Sequence, residues 1–148
     1  ALVEGANVSV GRGTGMPFEL LGAPWVKAQD FTDYLKGRKI PGAEFQPAAF
    51  MPDGNRLKGR VCYGVQVILT DRQILDSATL GIEIISALYR LYPRDFEIDK
   101  TFSLIGSRSV LQAIKEGRDP KEIPPLWQDS LARFRQLRSQ YLLYPEQF

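Results

Sequence analysis

Between Ala78 and Leu91 an apolar side chain falls at almost every angle around a helical wheel, and this stretch constrains the fold more than any other. Leu80, Ile84, Leu88 and Leu91 form one stripe, and Ile82, Ile85 and Tyr89 widen it. A helix that apolar has to be buried on more than one side, so the rest of the chain must wrap around it. Asp76 or Ser77 is its expected N-cap, and Pro93 stands just past its end.

The wrapping material includes strands. From Val61 to Thr70 the residues alternate with the two-residue period of a strand. Val61, Tyr63, Val65, Val67 and Leu69 share one face. Cys62, Gly64, Gln66, Ile68 and Thr70 share the other, which is small and mixed and suited to close packing against backbone or ligand. Glu44 to Met51 reads as a second strand, antiparallel to the first, and Pro47 places it at an edge or a bulge. Pro52-Asp53-Gly54-Asn55 is the turn between them. A short strand is expected near Leu2–Val10. It is followed by an ordered loop, because Gly11, Gly13, Gly15, Pro17, Gly22 and Pro24 leave no helical period.

Three further helices complete the pattern. Ala28 to Lys36 is closed by Gly37, and Ser107 to Glu116 by Gly117. Asp119-Pro120-Lys121-Glu122 combines an N-cap, a first-turn proline and a capping-box glutamate. Pro124-Pro125 restarts that helix, which runs to about Gln140 with a stripe of Trp127, Leu131, Phe134, Leu137 and Tyr141. The set predicts an α+β fold: a small antiparallel or mixed sheet packed against several helices, one compact domain over residues 1–148. At this length a chain buries roughly 70% of its unfolded surface and needs no metal or disulfide staple.

Composition removes whole classes of chemistry. The chain has no histidine and one cysteine, Cys62. Triad, Cys-His and His-based zinc chemistry are therefore impossible within it, and no metal or other cofactor is expected. Nineteen basic residues against seventeen acidic ones show none of the excess that a nucleic-acid partner usually demands. No apolar run approaches the roughly 18 residues needed to span a bilayer, and these residues do not read as containing a signal peptide. The start at Ala1, inside what reads as structured sequence, suggests a piece of a longer protein.

Two stretches have the residue types of a binding surface. In Asn7-Val8-Ser9-Val10-Gly11-Arg12-Gly13-Thr14-Gly15, alternate glycines let backbone N–H groups approach an acceptor, and Arg12 offers a charged fork for a carboxylate or phosphate. Asn7, Ser9 and Thr14 add neutral hydrogen-bonding groups. No Gly-Lys-Ser/Thr follows and Met16-Pro17 interrupts, so neither a P-loop nor a dinucleotide fingerprint is formed. From residue types alone, a glycine-rich surface turn with a solvated arginine is the simpler description. In Phe18-Glu19-Leu20-Leu21-Gly22-Ala23-Pro24-Trp25, an aromatic ring beside a carboxylate is a common sugar-binding composition. Phe18 reads more simply as core, while Trp25 and Glu19 are evenly balanced between core and surface roles. Glu4, Glu19, Glu44, Asp53 and Asp71 are the carboxylates available for glycoside hydrolysis, but sequence spacing does not fix their separation.

Taken in order, several stretches resemble a bacterial family whose characterised members are exo-β-N-acetylmuramidases. They are Glu4-Gly-Ala-Asn-Val-Ser-Val-Gly-Arg-Gly-Thr14, Pro17-Phe-Glu-Leu-Leu-Gly-Ala-Pro-Trp25, Phe45-Gln-Pro47 with Phe50, Lys58-Gly-Arg-Val-Cys-Tyr-Gly-Val65, Thr70-Asp71, Leu91-Tyr-Pro93 and Tyr141-Leu-Leu-Tyr144. The resemblance implies the C-terminal domain of a longer enzyme that removes N-acetylmuramic acid from peptidoglycan fragments. It implies an upstream Rossmann-like domain holding the catalytic glutamate, a cleft between the two parts, and a periplasmic or secreted location. No catalytic residue is then assigned to this chain. Asn7, Ser9, Arg12, Gly13, Thr14, Glu19 and Trp25 become the expected substrate-binding residues, with Arg12 on the lactyl carboxylate of the sugar. The expected partners are a muropeptide or other N-acetylmuramic acid saccharide and the upstream domain. Ala6 departs from the family, standing where a threonine is usual. The competing readings are a non-enzymatic docking module and an independent small hydrolase using Glu19 and Asp71.

Overall fold

A computed structural model describes residues 2–54 and 56–144. Its architecture is α+β: a three-stranded antiparallel sheet of order β1-β3-β2, with helices packed on it and on one another. The elements are β1 (Leu20–Ala23), α1 (Ala28–Arg38), β2 (Ala43–Phe50), β3 (Cys62–Leu69), α2 (Ser77–Leu91), α3 (Phe102–Ile105), α4 (Arg108–Lys115) and α5 (Pro125–Ser139). Short 3-10 turns at Ile98–Thr101 and Pro120–Glu122 precede α3 and α5.

α2 is the axis of the fold, as its composition requires. Asp76 caps it by accepting from the N–H groups of Ala78 and Thr79 at 2.9 and 3.2 Å. Every residue from Ile82 to Leu88 is buried, so apolar contacts surround the helix. α1 packs on β2, β3 and α2, and α4 and the Pro120–Glu122 turn close the far side of α2. Phe31, Leu35, Phe45, Ile85, Leu88, Ile114 and Ile123 lie at the centre, each burial stabilising by about 1.5–3 kcal/mol.

β2 is an edge strand, where Pro47, opposite Val65, is tolerated without an N–H to donate. β3 departs from simple alternation. Val61, Tyr63 and Leu69, expected on the apolar face, are exposed, while Cys62 and Gly64 on the opposite face are buried. The cause at Gly64 is the approach of β1. Gly64 sits opposite Gly22, and a Cβ there would lie 2.0 Å from the carbonyl oxygen of Leu21. Only glycine permits that spacing.

Three expectations fail locally. The strand near Leu2–Val10 is a series of turns with a single bridge, Ser9 to Gly22. Its glycine neighbours favour turns, and only Ser9 comes into register with β1. α1 does not stop at Gly37. It continues to Arg38 and ends on Lys39 in the left-handed conformation, because Arg38 is held from two sides by Glu83 and Asp119. α5 forms as expected, yet only the start of its stripe packs: Trp127 rests against the core and Leu131 is partly covered, while Phe134, Leu137 and, past the helix end, Tyr141 are exposed. Asn55 of the predicted turn lies outside the described residues.

Candidate functional site

The N-terminal segment becomes a surface because the sheet holds it from below. The Ser9 N–H donates to the Gly22 carbonyl at 2.8 Å, and Gly22 returns the bond at 3.0 Å. The chain then turns through Gly11 and Gly13, both with φ near +75°, a region that side-chain-bearing residues rarely adopt. Gly13 accepts at its carbonyl from the Asp53 N–H at 2.8 Å, and a Cβ on Gly13 would lie 2.5 Å from the Gly54 nitrogen. The glycine loop and the β2–β3 turn are thereby locked edge to edge.

Between them lies an open polar cleft of about 540 Å³ lined by Glu4, Arg12, Gly13 and Gly54. Arg12 Nη2 meets Glu4 Oε1 at 2.7 Å, and the Arg12 side chain remains 53% exposed. Its guanidinium also lies over the Phe18 ring, 5.0 Å from the centroid, so charge and ring face orient it together. Phe18 itself has φ 67°, a left-handed backbone that costs an aromatic residue roughly 1–2 kcal/mol. The bond from the Phe18 N–H to the Val10 carbonyl, 2.7 Å, holds it there. The result is an exposed ring beneath an exposed cation at the cleft margin.

The sequence-predicted residues divide into two groups. Arg12 and Gly13 line the cleft. Ser9, Thr14 and Asn7 spend their polar atoms within the protein. Ser9 Oγ accepts from the Gly11 N–H at 3.2 Å, and Thr14 Oγ1 donates to the Gly11 carbonyl at 2.7 Å while accepting from the Met16 N–H. Asn7 donates to the Asp95 carbonyl at 2.7 Å and accepts from the Glu97 N–H at 3.0 Å, tying the loop to the segment after α2. Trp25 packs half-buried on that same segment, 5.4 Å from the Tyr92 ring and 6.4 Å from Phe96. Glu19 is exposed and borders a separate apolar groove of about 560 Å³ between β1, β3 and α2, shared with Phe18, Val67, Leu80 and Ile84. Ala6 is buried, so the position where a threonine is usual faces the core.

Glu4 and Gly54 complete the cleft and were absent from the predicted binding set. The signal for Gly54 was its Pro-Asp-Gly turn. Glu4 had only its place in the glycine-rich stretch. Among the described residues no cluster of three or more His, Cys, Asp or Glu side chains is placed to hold a metal ion, and no helix is long and apolar enough to cross a membrane. Cys62 is buried, and burial pushes its thiol above the ordinary range, away from the reactive thiolate.

Comparison with known proteins covers nearly the whole chain. Residues 1–144 match the family described as exo-beta-N-acetylmuramidase NamZ, C-terminal. The peptidoglycan beta-N-acetylmuramidase NamZ of Bacillus subtilis (strain 168) is 36% identical over 146 residues, which are 97% of this chain and 35% of the relative. A DUF1343 family protein from Bacteroides fragilis superposes with a TM-score of 0.79 at 25% identity, over 94% of this chain and 38% of that one. A second from the same organism gives 0.64 at 24% identity, over 99% and 39%. The chain thus spans little more than a third of the length of these relatives, and by the match over residues 1–144 it belongs to the NamZ C-terminal family of exo-β-N-acetylmuramidases.

Proposed function

We propose that this chain is the C-terminal part of a longer glycoside hydrolase that releases terminal N-acetylmuramic acid from peptidoglycan, and that the Glu4–Arg12–Gly13–Gly54 cleft is its share of the substrate-binding wall. The observation that supports this most is the family match through the segment that builds the cleft. The Bacillus subtilis relative is named for the corresponding activity. In this reading the catalytic glutamate and a Rossmann-like fold belong to an upstream domain, and the working protein is periplasmic or secreted, where peptidoglycan is found.

The chemistry at the cleft suits the sugar. N-acetylmuramic acid differs from N-acetylglucosamine by a lactyl ether ending in a carboxylate. A guanidinium has five donors, and one bond to Glu4 leaves others for an incoming carboxylate. The substrate carboxylate joins or displaces Glu4 on Arg12, and Phe18 keeps the guanidinium plane in place meanwhile. Glu4 would also repel an anion that arrived without engaging Arg12, which favours a ligand whose carboxylate is correctly placed.

Calorimetric titration with N-acetylmuramic acid, against N-acetylglucosamine as control, tests the assignment. Saturable binding of the muramic sugar alone is expected. Arg12→Ala should weaken it by about 1.5–3 kcal/mol, the usual contribution of a charged hydrogen bond. Equal binding of both sugars, or binding indifferent to Arg12→Ala, would refute the role given to this cleft.

A further inference from the structure

We infer that Glu4 is a specificity-determining residue of the cleft, and that with Arg12 it extends the ligands held there to a zwitterion: a muramic sugar whose 2-nitrogen is a free ammonium rather than an acetamide. The inference rests on the sugar-binding role proposed for Arg12 and adds a second contact to it. The backbone at Glu4 is fixed by its neighbours. Val3 and Ala6 are buried, the Ala6 N–H donates to the Val3 carbonyl at 3.0 Å, and a Cβ on Gly5 would lie 2.6 Å from the Lys100 carbonyl oxygen. The turn is therefore anchored against the segment that leads into α3, and Glu4 is its residue that lines the cleft.

Two opposite charges are thus held side by side, Arg12 by its flanking glycines and Glu4 by its anchored turn, with their tips 2.7 Å apart. The contact exhausts neither group. The guanidinium keeps further donors, and the second oxygen of Glu4 accepts no bond among the described residues. The Glu4 side chain is 30% exposed against 53% for Arg12, so the carboxylate is the less hydrated of the two. An anion that binds Arg12 alone brings its charge beside that carboxylate. A ligand with an ammonium next to its own carboxylate turns the repulsion into an attraction. Muramic acid has this layout, because its amine and its lactyl ether sit on neighbouring ring carbons. Acetylation removes the charge and leaves Glu4 an amide N–H, a weaker donor. The field of the whole chain works the other way: at a net charge of +2 it favours the anionic N-acetyl sugar over the neutral zwitterion. A preference for the zwitterion is therefore a property of the cleft.

Calorimetric titration of the chain with muramic acid and with N-acetylmuramic acid, at neutral pH and low ionic strength, reads the preference. Muramic acid should bind more tightly by about two- to fivefold, the range that an ion pair in contact with water supplies. Added salt should shrink the difference. Glu4→Gln keeps an oxygen for an amide N–H and loses the charge. It should abolish the preference, and N-acetylmuramic acid should bind the variant at least as tightly as it binds the unsubstituted chain. Equal affinities for the two sugars, tighter binding of the N-acetyl form, a difference indifferent to salt, or a preference that survives Glu4→Gln would each overturn the role of Glu4 and leave that of Arg12 standing. Binding of neither sugar would overturn both.

Discussion

Arg38 and Arg12 each approach a glutamate at 2.7 Å, one in the interior and one on the surface. Arg38 grips Glu83 with Nε and Nη2 at 2.7 and 3.0 Å, and its Nη2 also reaches Asp119 at 2.5 Å. One guanidinium so joins α1, α2 and the turn before α5. The Glu83 side chain is 2% exposed, so its two bonds to Arg38 form where water is largely excluded. Arg12 makes a single contact to Glu4, and water reaches both partners. The same pair of groups is a brace where water is excluded and a replaceable contact where it is not. Fold and candidate site therefore draw on the same chemistry and are separated by burial.

The largest test of this contrast removes one carboxylate from each pair. Glu83→Ala leaves Arg38 as a partly buried cation with only Asp119 to meet it, and should cost about 3–5 kcal/mol in urea unfolding. Glu4→Ala should cost less than about 1 kcal/mol. Equal losses would erase the distinction. A gentler change comes next. Arg38→Lys keeps the charge but replaces a fork with a point donor, which does not hold two oxygens of Glu83 and two of Asp119 together. Losing one charge-assisted hydrogen bond there should cost about 1.5–3 kcal/mol.

Acid probes the brace from the solvent side. The hydrogen bond from Arg38, helped by the Lys121 N–H, holds the Asp119 carboxyl down from the ordinary 3.8 to about 2. A carboxyl with a lowered folded pKa contributes stability above its unfolded value and loses it as the pH falls through the folded one. The Asp119 side chain is 45% exposed, so solvent screening keeps the contribution modest. Unfolding midpoints measured from pH 3.8 down to about 2 should therefore fall more steeply for the unsubstituted chain than for Asp119→Asn. Parallel curves would mean that the Asp119 arm of the brace contributes nothing.

What was legible beforehand follows the same line. α2 was readable because its apolar residues surround the wheel and Asp76 caps it, both properties of neighbouring residues. The antiparallel pairing of β2 and β3 was readable from period and turn. The end of α1 was not, because Gly37 signals a stop locally while Glu83 and Asp119, far along the chain, hold Arg38 in the helix. On β3 the close packing of the small face was readable, and Gly64 does meet the backbone of β1 there, whereas the exposure of Val61, Tyr63 and Leu69 on the apolar face was not. In the candidate site, Arg12 and Gly13 were named from residue type. Residue type could not show that Asn7, Ser9 and Thr14 would satisfy their hydrogen bonds within the protein, or that Glu4 would arrive beside Arg12.

The smallest expected effect on stability is the most informative about the site. Arg12→Lys repeats at the surface the substitution that damages the brace. The charge stays within reach of Glu4, and water replaces whatever the fork gave up, so unfolding free energy should move by no more than about 0.5 kcal/mol. Binding should respond differently. An ammonium does not offer two parallel donors to a carboxylate, so the affinity for N-acetylmuramic acid should fall although the net charge is unchanged. Titration of the Lys variant beside Arg12→Ala separates the two contributions. If Lys binds as well as Arg, positive charge alone reads the lactyl group, and the guanidinium fork and its place over Phe18 are incidental. If Lys binds as poorly as Ala, the orientation imposed by Phe18 and Glu4 is what the strained turn at residue 18 maintains.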